Sequence, residues 1–248
     1  MTRHLYDDVH VAICRMLDRR YNNPLEDAPW PLLERLLGGG RVRVLDVGCG
    51  RGASSLAWAK RGAEVLGIDA SEAMIAEAKR NLEAENGDFP LEFRCGRLED
   101  LGVVDPFDLV LLHDVLCYLP DRAAALSGAL GRLRPGGILS VTDYHGVRGL
   151  PEVDRVIGAW GIDVPTALPD WEAVLQGTGA RVLMMVDTTR QYRAHWRKIL
   201  ARLGMRIEEM EERVGRPAVE SFAAQVGAIL AAVDTGAFGH FWAVLESP

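Results

Sequence analysis

The apolar residues of this chain follow two patterns in turn: short unbroken runs, and longer stretches with apolar positions at helical spacing. The runs VRVLDV (42–47), AEVLGID (63–69), LEFRC (91–95), FDLVLLHD (107–114) and GILSVTDY (137–144) predict five strands. Between them lie predicted helices from Ala53 to Arg61, from Ser71 to Glu85 and from Asp121 to Leu133. The second of these has Ser71 as N-cap and carries Met74, Ile75, Ala78 and Leu82 on one face. Strand and helix in alternation predict an α/β fold, an open and mostly parallel sheet covered by helices on both faces.

The second half changes rhythm. Residues 150–161 and 168–179 read as helices, and ARVLMMVD (180–187) as a sixth strand. Two helical stretches follow. One carries Tyr192, Trp196, Ile199, Leu200 and Leu203 on a stripe, the other Val219, Phe222, Val226, Ile229, Leu230 and Val233. The segment MRIEEMEERVGR between them reads as a solvated helix face. FGHFWAVLES (238–247) is a seventh strand, so a helical insertion separates the last two strands. Such an insertion packs on the sheet's rim, where open α/β sheets bind ligands. At the other end, Leu5, Val9, Ile13 and Leu17 make an amphipathic helix, and WPLLERLLGGG a short one with Pro31 in its first turn. We therefore expect one domain over 1–248, with cap helices over 1–40 and helical lid elements over about 145–168 and 188–236.

Length and composition agree with that plan: 248 residues, 48% of them hydrophobic, supply one sizeable core. The formal charge of −7 argues against nucleic acid as a partner, because phosphate binding needs clustered Lys and Arg. No apolar run is long enough to span a bilayer, which argues against a membrane partner and for a cytoplasmic protein. Cys14, Cys49, Cys95 and Cys117 lie at no metal-ligand spacing, so no metal is expected and the thiols should be reduced.

The most informative stretch is DVGCGRGA (46–53). Gly48, Gly50 and Gly52, with Cys49 between the first two, form G-x-G-x-G, unlike the G-x-G-x-x-G of dinucleotide enzymes. Glycines permit positive φ and close approach of a ligand to backbone, and the following helix points its free N–H groups at that ligand. Asp46 ends the first strand, where a carboxylate suits a ligand bearing positive charge better than one bearing phosphates. Asp69 ends the second strand, in the place of a carboxylate that accepts ribose hydroxyls.

VLDVGCGRG, GIDASEAM, FDLVLLHDVLCYL and LRPGGILSVTD resemble, in order and spacing, the successive motifs of class I S-adenosylmethionine-dependent methyltransferases. The likeness runs from about Arg41 to Asp143. It implies a Rossmann-like seven-stranded sheet with the last strand antiparallel, and S-adenosyl-L-methionine as cofactor. It also implies that Asp46, Gly48, Cys49, Gly50 and Gly52 lie against the methionine and ribose parts and that Asp69 holds the ribose hydroxyls. Ala70 and Met74 would flank the adenine, and His113 would meet the amino-acid end unless it is a buried structural histidine. The family usually has an Asp after the third strand to accept from the adenine amino group. Here Arg97 fills that position and has no acceptor. Leu98, through its backbone N–H, and Glu99 are the remaining adenine candidates. The rear half more loosely resembles methyltransferases of small molecules, such as the sarcosine/dimethylglycine, phosphoethanolamine and isoprenoid enzymes.

Residues that meet the acceptor should lie after strands four, five and six. His145, directly after strand five, is the first candidate for acid/base work, against the alternative of a solvated loop histidine; Tyr144 and Asp114 complete the catalytic set. Asp143 and His195 fall in the same segments. Tyr118, Tyr192, Trp196 and Tyr21 are substrate-contact candidates, with core packing the alternative for Tyr192 and Trp196. Tyr6 is a further candidate to cap the cofactor. The expected activity is in-line transfer of a methyl group to a small metabolite, on nitrogen or oxygen before carbon or sulfur, by a monomer or homodimer. A nicotinamide-dependent oxidoreductase and a non-catalytic S-adenosylmethionine-binding protein are the competing readings.

Overall fold

The computed structural model describes residues 8–17 and 30–248. The helices are α1 (Asp8–Met16), α2 (Trp30–Leu37), α3 (Ala53–Ala59), α4 (Glu72–Glu83), α5 (Arg122–Leu130), α6 (Pro151–Trp160), α7 (Leu168–Gln176), α8 (Thr189–Met205), α9 (Ile207–Val214) and α10 (Arg216–Asp234). The strands are β1 (Arg43–Val47), β2 (Glu64–Asp69), β3 (Leu91–Cys95), β4 (Phe107–His113), β5 (Leu133–Gly146), β6 (Arg181–Asp187) and β7 (Phe238–Glu246). All seven join one sheet in the order β3-β2-β1-β4-β5-β7-β6. The pairs among the first five strands are parallel, and β7 runs antiparallel to both β5 and β6. The order reverses between β1 and β4, so a crevice opens beyond the C-terminal ends of those strands.

Among the described residues, three large cores and a small one, of Cys49, Ile75, Ala78 and Phe93, hold this plan together. On one face of the sheet, Val44, Val65, Leu109, Leu111 and Val244 meet Leu33 of α2 and Trp58 of α3. On the other, Leu45, Ile68, Val110, Leu112 and Val141 meet Leu126 of α5 and Trp171 of α7. Adjacent strand residues thus supply opposite cores, as the pleat demands. The third core belongs to the cap. Residues of α1, α6, α8, α9 and α10 pack around Tyr144 and Phe238, which stand at the ends of β5 and β7.

The helical stripes read from sequence bury as expected at Tyr192, Trp196, Ile199 and Leu203, and at all six named positions of α10. Leu200 departs, at 40% exposed, and so does Val9, at 39%. The segment read as a solvated face is α9, which buries Met210 completely among the cap residues. Leu5 lies outside the described residues. β5 extends beyond the predicted 137–144 at both ends, and it carries a register shift opposite Phe107 and Leu109.

α1 ties the cap to the sheet. Arg15 Nε and Nη2 donate to the Glu77 carboxylate of α4 at 3.0 and 2.5 Å. Arg202 of α8 donates to Leu17 O at 3.2 Å, and Arg206 donates to Met16 O. Among the described residues no helix is long and apolar enough to cross a membrane, and no group of His, Cys, Asp and Glu is placed to hold a metal ion. No disulfide joins the four cysteines.

Candidate functional site

The β1–α3 turn needs its glycines. Gly48, Gly50 and Gly52 have φ of +69°, +54° and +79°, where a side chain is strained. A Cβ on Gly52 would sit 2.4 Å from Phe93 Cζ, so this glycine is also required by packing against β3. A Cβ on Gly50 would meet nothing within 4 Å, so the backbone there faces open space a ligand can enter. Gly52 caps α3 with no side-chain hydrogen bond, which leaves the helix N-terminus to accept a ligand.

Two carboxylates frame this cradle and differ in posture. Asp46 is only 2% exposed, and its Oδ2 accepts from Ser55 Oγ at 2.6 Å. Burial pushes its pKa up to about 6, with the Ser55 hydrogen bond pulling the other way. It stands behind the loop and fixes α3 beneath it. Asp69 accepts one backbone N–H on each oxygen, Gly50 N at 2.9 Å and Ser71 N at 2.8 Å. Burial raises its pKa against those two bonds. Each oxygen keeps acceptor capacity for a hydroxyl pair. Arg51 and Asn81 fasten the loop from outside: Arg51 Nη2 lies 3.4 Å from Glu77 Oε1, and Asn81 Nδ2 donates to Arg51 O at 3.0 Å.

The flanks are set by β2 and β3. Ala70 is exposed beside Asp69, and Met74 is buried, with its N–H donated to Ser71 Oγ. Cys49 is buried, with its thiol pKa pushed up by burial. Leu98 is buried at the start of a short 3-10 turn, whereas Glu99 is exposed and lies 3.8 Å from Arg97.

A cavity lies under the cap. Asp114, Tyr118, Tyr144, Tyr192, Trp196 and Phe238 line it, together with residues of α6 and α10. It therefore gathers one catalytic pair and three substrate-contact residues named from sequence: Asp114 and Tyr144, and Tyr118, Tyr192 and Trp196. Tyr192 and Trp196 satisfy both readings, being buried in the cap core and lining the cavity. Asp114 of this cavity is followed in the chain by Val115, which lies against the glycine loop: a Cβ on Gly48 would be 2.7 Å from Val115 Cγ2. Tyr21 and Tyr6 lie outside the described residues.

His145 is not among the residues the structure brings to this cavity. Along β5 successive side chains alternate faces, so Tyr144 and His145 point apart. Tyr144 stands opposite His240 of β7, and their rings are 5.4 Å apart. His145 stands opposite Gly239, where a Cβ would lie 2.4 Å from its Nε2 and 2.6 Å from Thr189 Oγ1. The ring fills the space of the absent side chain. Burial lowers its pKa, with the Asp187 charge opposing.

His113 turns inward at the end of β4. Its Nε2 lies 2.9 Å from Ser140 Oγ, and burial draws its pKa down to about 4, so it is neutral near pH 7. Asp143 is fully buried and accepts from Cys117 N at 3.0 Å and Tyr144 N at 2.8 Å. Burial, then the Asp114 charge, push its pKa up to about 7.

His240 carries little local signal. It is fully buried, with Nε2 3.0 Å from Asp114 Oδ1 and Nδ1 2.6 Å from Thr188 Oγ1. Its ring lies parallel to Tyr192, 5.1 Å between centroids and 3° between planes. With Asp114 ionised, Nε2–H donates to the carboxylate and Nδ1 accepts from the Thr188 hydroxyl. Asp114 Oδ1 also accepts from Thr142 Oγ1 at 2.8 Å. Burial pushes the Asp114 pKa up, but the electrostatic pull of the His240 ring and the hydrogen bonds from His240 and Thr142 outweigh it and hold it below its ordinary value. Asp114 has φ of +56°, and is the only non-glycine with positive φ among the described residues. Such a cost is met where surroundings fix the residue for a task. The one signal in the sequence was a histidine inside an otherwise apolar strand, GHFWAVL.

Comparison with known proteins bears on the loop directly. Residues 45–141 match a family model described as a methyltransferase domain. A ubiquinone biosynthesis O-methyltransferase of Nitrobacter winogradskyi is 33% identical over 137 residues, 55% of this chain and 47% of that protein. A tRNA 5-carboxymethoxyuridine methyltransferase of Escherichia coli is 33% identical over 146 residues, covering 56% of this chain and 56% of that protein. The chain thus spans about half the length of these curated relatives. Among solved structures, Haemonchus contortus phosphoethanolamine N-methyltransferase 2 in complex with S-adenosyl-L-methionine superposes with a TM-score of 0.85 at 20% identity. That match covers 99% of this chain and 58% of the other, and it is a likeness of fold.

Proposed function

From the class I S-adenosylmethionine-dependent methyltransferase domain that this chain carries, with S-adenosyl-L-methionine as its cofactor, we propose an enzyme that methylates a small-molecule acceptor, on nitrogen or oxygen. The observation that supports this reading is the open backbone at Gly50 with the Asp69 carboxylate bonded to it, on one side of Val115, and the aromatic cavity lined by Asp114 on the other. The residues proposed to hold the cofactor are the Gly48–Gly52 backbone with Cys49, Asp69 at the ribose, and Ala70, Met74, Leu98 and Glu99 around the adenine. His113 stands at the amino-acid end, and Asp46 acts through the loop it supports. When bound, the cofactor supplies a sulfonium methyl group, whose bond to sulfur breaks as the bond from an in-line acceptor forms.

The chain's own contribution is position and dryness. α1, α6, α8, α9 and α10 act as the lid over the acceptor, within one domain. The buried rings of Tyr144, Tyr192, Trp196 and Phe238 exclude water from it. Asp114 meets the acceptor; Tyr144 packs against it; His145, turned to the other face, is left with a structural part. Both a ubiquinone-pathway and a tRNA enzyme stand among the relatives, so the choice of acceptor rests on this chain's own features. A charge of −7 and an aromatic cavity under the cap support a small molecule over a nucleic acid, and we propose a cytoplasmic enzyme acting as a monomer or homodimer. The test is a screen of small metabolites and bulk tRNA with S-adenosylmethionine carrying a deuterated methyl group, read by mass spectrometry. Label in a small molecule supports the reading. Label in tRNA alone, or none in any acceptor while the cofactor binds, overturns it.

A further inference from the structure

We propose that the acceptor is an amine, and that Asp114 recognises it at the nitrogen that receives the methyl group. The inference rests on the methyl-transfer reading above and deepens it. It begins with the two oxygens of one carboxylate. Oδ1 of Asp114 is fully engaged, by His240 Nε2 at 3.0 Å and Thr142 Oγ1 at 2.8 Å. Oδ2 is buried and has no hydrogen-bond partner. A buried carboxylate oxygen left alone is costly, so such an atom in a native cavity calls for a donor. The two bonds on Oδ1, and the strained backbone at φ +56°, hold the side chain so that Oδ2 is the free one.

The surroundings say what kind of donor fits. Among the described residues that line this cavity, Asp114 carries the only charge, and there is no Lys or Arg. A phosphate or carboxylate on the reacting end of the acceptor would be repelled there. Three tyrosines, two tryptophans and Phe238 supply aromatic surface, which attracts a cation. An amine N–H donated to Oδ2 would orient the nitrogen lone pair. The nitrogen becomes positive as it gains a carbon, and the fixed carboxylate opposes that charge where it develops. A hydroxyl could donate the same hydrogen bond but, on losing its proton, would bring no cation to match the carboxylate and rings. Val115, the next residue, packs against Gly48, so Asp114 stands at the boundary between this cavity and the glycine loop.

The test uses the whole chain and needs no turnover. S-adenosylhomocysteine is first titrated by calorimetry, and failure there would overturn the cofactor reading separately. With that site filled, 2-(dimethylamino)ethanol, an ammonium near neutral pH, is compared with its carbon isostere 3-methylbutan-1-ol. The amine is expected to bind at least about tenfold tighter. In Asp114→Asn that preference is expected to collapse, with S-adenosylhomocysteine affinity unchanged; Asn is the substitution that best tolerates positive φ. Equal binding of the pair by the unaltered chain, no binding of the amine, or a preference that survives Asp114→Asn overturns the proposal. The wild-type comparison stands even if the variant folds poorly.

Discussion

His240 Nε2 lies 3.0 Å from Asp114 Oδ1, joining the residue after β4 to the third residue of β7 across 126 positions of sequence. The contact fixes a buried carboxylate at the floor of the cap, and His240 is itself fixed by Thr188 and by stacking on Tyr192. Its role is to position Asp114, and this makes a distinction between two substitutions. His240→Phe keeps the stacking and loses the hydrogen bond; His240→Gln can keep a donor toward Asp114. We expect His240→Phe to weaken binding of 2-(dimethylamino)ethanol about three- to tenfold, the net effect of one hydrogen bond. His240→Gln should recover most of the loss, and S-adenosylhomocysteine should bind both variants as it binds the parent. Calorimetry checks all three. Equal loss in the two variants would reduce His240 to packing.

Asp143 offers a pH test. Its folded pKa is pushed up to about 7 by burial and the Asp114 charge. Between the ordinary carboxylate value and about 7, the folded chain holds a proton that the unfolded chain has released. Stability from this group is therefore fully present below the ordinary value and is lost as pH rises through about 7. Asp143→Asn does not titrate. The stability of the parent relative to this variant should fall by on the order of 2–4 kcal/mol from pH 4.5 to pH 8.5. Chemical denaturation at several pH values, at constant ionic strength, measures it. A difference independent of pH would contradict the assignment.

Glu77 is the anchor of the cap. It is 1% exposed, yet three arginines reach it from three places: Arg15 of α1, Arg51 of the glycine loop and Arg80 of its own helix. Burial raises its pKa, but the hydrogen bonds from Arg15 and Arg80 and the arginine charges prevail and hold it at about 2. Its contribution is present above the ordinary carboxylate range and is lost as pH falls through about 2. Glu77→Gln should destabilise the chain by about 1–3 kcal/mol near neutral pH, through loss of charge-assisted hydrogen bonds. It should also speed proteolytic cleavage within α1, which Arg15 no longer holds. Unchanged cleavage there would show that α1 is seated by its apolar face alone.

Much of the sheet was legible because its signals are local. A run such as FDLVLLHD announces a buried strand, and Ser71 announces a helix start, without reference to the rest of the chain. The glycine loop was legible for the same reason, since positive φ at Gly48, Gly50 and Gly52 is a demand of the backbone itself. The acceptor side was legible only in part. Tyr192 and Trp196 were placed on one stripe, but nothing local reveals that this stripe closes over Asp114. His145 was read as the reacting histidine from its nearness in sequence to the end of β5, and that nearness says nothing of which face a side chain takes. His240 was missed because its meaning arises from a partner 126 residues away. Asp46 was read at the ligand, and its hydrogen bond from Ser55 appears only once α3 is packed; Glu77, which no local pattern marks, gains its three arginines in the same way.

The loop from Gly48 to Gly52, with Asp69 beside it, is the proposed seat of S-adenosylmethionine. Asp69 stands at the crevice with acceptor capacity left on both oxygens, so it is the side chain whose loss the cofactor should feel most. The direct measurement is calorimetric titration of S-adenosylmethionine into the parent chain and into Asp69→Ala. The account predicts saturable binding of one molecule per chain, weakened at least about tenfold by the substitution, since a paired ribose would lose its acceptor. No saturable binding to the parent, or equal affinity in Asp69→Ala, would contradict it.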